Sequence, residues 1–92
     1  MKIKHNNFET KGEFLALDNG VEVGKMTYSW AGKSKFIIDH TEVNDAFKGQ
    51  GVGKQLALES IAFARKNNLK IIPLCPFVKS FFDKNPMFRD VL

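Results

Sequence analysis

The stretch Phe47-Lys48-Gly49-Gln50-Gly51-Val52-Gly53-Lys54 divides the chain into two halves that follow different periods. Before it, apolar residues alternate with polar ones, as in strands. After it, they recur at helical spacing. Glycines at alternate positions allow a close approach of ligand to backbone that side chains would block. At a helix start the unpaired N–H groups converge on one spot, and the helix dipole adds positive potential there. Lys48 and Lys54 reinforce it, so the chemistry suits a pyrophosphate.

Two familiar phosphate loops do not fit. A Walker A loop needs Ser or Thr after Gly-Lys, and Gln55 follows Gly53-Lys54. A dinucleotide fingerprint needs a third glycine where Lys54 stands, and it needs a βαβ unit, whereas the strands before this loop form a meander. A plain glycine-rich turn opening a helix remains the alternative reading.

Working upstream, Glu13 to Asp18 is a short apolar run stopped by Asn19-Gly20, a strong two-residue hairpin signal. Val21 to Trp30 and Lys35 to Val43 follow as two further strands, joined by Ala31-Gly32-Lys33-Ser34. Strict alternation puts Phe36, Ile38 and His40 on one face of the third strand, with Asp39 on the other. Met26, Tyr28 and Trp30 read as core, His5 as exposed, and Lys2 to Asn6 as an edge strand.

Downstream, Gly51 to Asn67 is helical. Its apolar arc runs through Val52, Leu56, Ala57, Ile61, Phe63 and Ala64. Leu69 to Leu74 is almost wholly apolar, as expected of a central buried strand beside the one ending at Val43. Cys75 then precedes Pro76, a helix-start signal, and Phe77, Val78, Phe81 and Phe82 form the stripe of a short second helix. The expected class is mixed α+β: an antiparallel meander followed by α-β-α, in one domain over residues 1–92.

Composition narrows the function classes. Fourteen basic against ten acidic residues give a net charge of +4, which suits a polyanionic partner. The lysines are scattered and only Arg65 and Arg89 are arginines, so nucleic acid is not the expected partner. One cysteine and two histidines make neither a disulfide nor a metal site, so no metal is expected. There is no long apolar run and no apolar leader segment, so a membrane is not expected and a cytoplasmic setting is.

With these residues in view, the loop resembles the acyl-CoA pyrophosphate loop of the GNAT N-acetyltransferase superfamily, written [RQ]-x-x-G-x-[GA]. The match runs Lys48-x-x-Gly51-x-Gly53, with Lys48 in place of the usual Arg or Gln. His40-Thr41-Glu42-Val43 upstream, and Pro73-Leu74-Cys75-Pro76-Phe77 with Asn85-Pro86 downstream, are similar to a short, single-domain branch of that superfamily. The resemblance implies a sheet with two splayed central strands. It also implies acetyl-CoA as acyl donor, its pyrophosphate on the amides of Gln50 to Lys54, with Val43, Lys48 and Gly49 beside it, and an unidentified amine acceptor. A binding module for acetyl-CoA or CoA without turnover is the alternative, and a homodimer is compatible with both. Many members protonate the leaving thiolate with a Tyr on the last helix. Here that helix carries Phe77, Phe81 and Phe82, and the only tyrosine is Tyr28. The catalytic candidates are therefore Cys75, as nucleophile or acid at a helix start, and His40 and Glu42 as bases.

Overall fold

The computed structural model describes residues 1–92. Five strands form one sheet in chain order: β1 (Lys2–Asn7), β2 (Lys11–Asp18), β3 (Val21–Trp30), β4 (Lys35–Val43) and β5 (Lys70–Pro73). The first four pair antiparallel, and β5 pairs with β4 in parallel. Helix α1 (Val52–Lys66) forms the crossover between β4 and β5, and α2 (Pro76–Lys84) follows β5. This is the expected α+β order. Asn19 and Gly20 both take positive φ (51° and 82°), the geometry of a type I′ turn whose twist matches the flanking strands.

One layer of helix covers one face of the sheet. Leu56, Ala57, Ile61 and Ala64 of α1 are buried with Phe14, Ala16, Met26, Tyr28, Phe36 and Ile38 of the strands in a single cluster. Gly24 lets the start of α1 sit down on β3, since a Cβ there would stand 2.6 Å from Val52 Cγ1. The helix that carries the glycine loop is thus fixed against the strand beside β4.

Three expectations are corrected by the fold. First, the run Leu69 to Leu74 lies beside β4 as expected, but β5 is the outermost strand, not a central one. Ile71 faces the core, whereas Ile72 is 39% exposed and Leu74 67%. Pro73, which lacks an N–H, is tolerated because the strand has a free edge.

Second, His40 does not share a face with Phe36 and Ile38. Thr27 pairs with His40 and Tyr28 with Ile38, so Asp39 is an extra residue in β4. Such a β-bulge resets the alternation. Thr41 and Val43 turn inward, opposite Met26 and Gly24, while His40 and Glu42 are exposed on the outer face. Asp39 is outward as well, accepting a hydrogen bond from Ser29 Oγ at 2.8 Å, so Asp39 and His40 do not point to opposite faces.

Third, His5 is half-buried. Its ring stacks on Phe14 at 4.1 Å between centroids, and Nε2 lies 2.6 Å from Tyr28 Oη. Burial lowers the pKa of His5 below its ordinary value of 6.5, against a weaker opposing pull from Glu59. The folded chain therefore binds this proton less readily than the unfolded chain does. Stability conferred by neutral His5 is present above about pH 6.5 and is lost as pH falls below that value. The melting temperature is expected to drop between pH 7.5 and 5 in the wild type, and to drop less in His5→Gln. Loss of the Asp45 and Asp90 ion pairs belongs to a lower window, below about pH 4, because both carboxyls are held down by their Lys48 and Arg65 partners.

Candidate acyl-donor cleft

Strands β4 and β5 pair only from Lys35/Lys70 to Ile38/Pro73. The last link is the N–H of Cys75, which donates to Ile38 O at 3.0 Å. Beyond it the two strands part. Asn44 N–H donates back to Val23 O, so by alternation the N–H and C=O of Thr41 and Val43 face the gap rather than β3. This leaves a short strand edge with no β5 partner.

That edge forms one wall of a cleft of about 570 Å³. Thr41 and Val43 come from β4, Phe47 to Gly49 from the connecting turn, Gly51 to Lys54 from the start of α1, and Phe77 and Phe81 from α2, with Asn85 at its end. The α1 end is built for an anion. Gly51 caps the helix in the left-handed region (φ 77°), and no side chain caps it. The first helical bond runs from Gln55 N–H to Gly51 O, so the N–H groups of Gly51, Val52, Gly53 and Lys54 have no acceptor within the chain. Four free donors at a helix N-terminus with a lysine beside them fit a pyrophosphate in both charge and hydrogen-bond sense.

The structure gathers most of the residues named from the sequence here: Val43, Lys48, Gly49, Gly51, Val52, Gly53 and Lys54 all line the cleft. Gln50 does not. Its N–H donates to Phe47 O at 3.3 Å within the turn. Lys48 is engaged too: Nζ lies 2.9 Å from Asp45 Oδ1, and this pairing lowers the Asp45 pKa and raises that of Lys48. Thr41, Phe47, Phe77, Phe81 and Asn85 were not singled out as binding residues. Phe77 belongs to the apolar stripe expected of α2, and it is 42% exposed and lines the cleft. Only the tertiary approach of α2 to α1 could reveal that.

The catalytic candidates divide between two sides. Cys75, 4% exposed, sits where the strands part, as the residue before α2, and its Sγ donates to Thr41 Oγ1 at 3.5 Å. His40 and Glu42 stand on the outer face, with Nε2 and Oε2 3.7 Å apart and both side chains more than 60% exposed. Tyr28 is excluded as an acid for this cleft. It is fully buried, bonded to His5 and outside the cleft lining, and burial pushes its pKa up to about 12.

A family model of GCN5-related N-acetyl-transferases matches residues 8–91. Protein NATD1 of Xenopus tropicalis is 34% identical over 62 residues, which make up 67% of this chain and 57% of that protein. Protein NATD1 of Homo sapiens is 32% identical over 62 residues, 67% of this chain and 55% of that protein. The chain therefore spans little more than half the length of these relatives. The solution structure of a GCN5-like protein from Staphylococcus aureus superposes with a TM-score of 0.70 at 36% identity, over 96% of this chain and 85% of that one. An aminoglycoside N-acetyltransferase solved with CoA shares the fold, with a TM-score of 0.62 at 14% identity over 84% and 67% of the two chains.

Proposed function

The chain belongs to the GCN5-related N-acetyltransferase family, and we propose that it moves an acetyl group from acetyl-CoA to a primary amine. The observation that carries this reading is the meeting of two unpaired backbone surfaces in one cleft: the four free amides of α1 and the free edge of β4. The amides suit the pyrophosphate of CoA. The strand edge can hydrogen-bond the two amide groups of the pantetheine arm as a neighbouring strand would. Lys54 adds charge at the mouth, and Lys48 joins it once released from Asp45.

The roles proposed for the remaining residues follow from which side of the sheet each occupies. An arm lying along Thr41 and Val43 brings the thioester toward Cys75, while the outer face stays open to an amine. His40 or Glu42 takes the amine proton there, directly or through water. The nitrogen bonds to the acyl carbon, and a strand-edge N–H polarises its carbonyl. The carbon–sulfur bond breaks, and Cys75 S–H donates its proton to the departing thiolate, to be reprotonated from solvent. Positioning of the two substrates and these proton transfers are the protein's contribution.

A thermal-shift titration with acetyl-CoA, CoA and ATP tests the binding step. At a ligand concentration about 100 times Kd the gain is about 2.7 kcal/mol, which for a domain of this size raises the melting temperature by about 10–20 °C. CoA and acetyl-CoA are expected to give that shift and ATP a much smaller one. Absence of any shift with CoA would remove the reading. A shift without amine-dependent release of CoA thiol, across a panel of amines, would favour a binding module, the reading that the lack of a tyrosine on α2 supports.

A further inference from the structure

Phe77 has an exposure and a neighbour that core packing does not explain. It is the second residue of α2, it is 42% exposed, and its ring faces the cleft. The ring also occupies the space a side chain at Gly53 would need. A Cβ at Gly53 would lie 2.5 Å from Phe77 Cζ and about 3 Å from Cε1 and Cε2. Gly53 has helical backbone and lies inside α1, so its lack of a side chain serves this contact and not an unusual φ. The start of α2 is itself pinned, by Pro76 at the first helical position and by the Cys75 N–H bond to Ile38 O. The ring thus lines the same cleft as the free edge of β4 and stands next to Gly53 at the start of α1, offering no polar atom.

We propose that Phe77 is a ligand-contacting wall that selects the pantetheine thioester arm, and that residue 53 is glycine to admit its ring. This deepens the acyl-donor reading above and rests on it. An apolar plate in the same cleft as a strand edge fits a chain with alternating amide and methylene groups: the amides bond to the edge while the methylenes and methyls cover the ring. The same plate contributes nothing to phosphates, which the amides and lysines hold.

The test pairs two probes, CoA and adenosine 3′,5′-bisphosphate, which has the phosphoadenosine part but no pantetheine. Isothermal titration of Phe77→Ala is expected to show CoA affinity lowered about tenfold or more, with bisphosphate affinity unchanged, and Phe77→Leu should retain most CoA affinity. Gly53→Ala should also weaken CoA, by pushing the ring from its place. The double variant should lose no more CoA affinity than Phe77→Ala alone, because without the ring the atoms closest to a Cβ at residue 53 are gone. Equal loss of both probes in Phe77→Ala would mean the ring merely supports the phosphate end and would overturn the proposal, as would unchanged CoA affinity or additive effects of the two substitutions. Wild-type chain that binds neither probe would instead overturn the acyl-donor reading itself.

Discussion

Gly51→Val is expected to leave a folded chain that no longer binds acetyl-CoA. Gly51 holds φ at 77°, a region open to glycine and costly for a β-branched residue, by about 1–3 kcal/mol. No protein atom lies within 4 Å of the Cβ position, so the added Cβ meets no packing obstacle, and the chain is expected to fold at somewhat lower stability. The loss falls on the ligand. Relaxing the strained φ rotates the peptide units that aim the free amides, and the new methyl groups stand at the mouth of the cleft. Hydrogen bonds to a charged group contribute about 1.5–3 kcal/mol each. Misaiming two of them lowers affinity by about 10²-fold or more, enough to erase the thermal shift. Gly51→Ala should fall between, and Lys33→Ala, in the distant β3–β4 turn, should bind normally. A normal CoA shift in the valine variant would separate the loop from ligand binding.

The loop was legible because its signals are local. Glycine spacing, the following apolar arc and flanking lysines all lie within a few residues, and they gave both the helix start and its anion-binding sense. The hairpin at Asn19-Gly20 and the start of α2 at Pro76 were legible for the same reason. What escaped depends on partners far along the chain. The bulge at Asp39 is invisible to a period-two reading, yet it decides that Thr41 and Val43, not His40, face inward. The edge position of β5 follows from no strand pairing beyond it, while its apolar run looks the same either way. His5 reads as surface until Phe14, Tyr28 and Phe63 gather around its ring from three other elements. Lys48 reinforces the loop's positive potential on the sequence alone, and only the folded turn brings Asp45, three residues earlier, onto it.

Cys75→Ala is expected to lower acyl transfer by about 10²-fold, the low end of what one general acid contributes, while leaving acetyl-CoA binding intact. The backbone bond from residue 75 to Ile38 does not depend on the side chain, so the parting of the strands persists. Removing one sulfur atom from a buried site costs about 1 kcal/mol of stability, too little to unfold the chain. The thiol is 4% exposed and donates to Thr41, so it should alkylate slowly in the free protein, contrary to what a helix-start cysteine suggests by itself. That setting favours a proton donor over an acyl carrier. Incubation with acetyl-CoA and no amine should therefore leave no hydroxylamine-labile acetyl group on Cys75. Cys75→Ser keeps a donor of similar size but much lower acidity, and its rate should lie near that of the alanine variant. A thioester adduct at Cys75 would make it the nucleophile and His40 and Glu42 bases for the second transfer. Full activity in Cys75→Ala would reduce the residue to packing and leave solvent to protonate the thiolate. Measuring kcat apart from the CoA Kd distinguishes these outcomes, because only chemistry, not donor binding, depends on this proton.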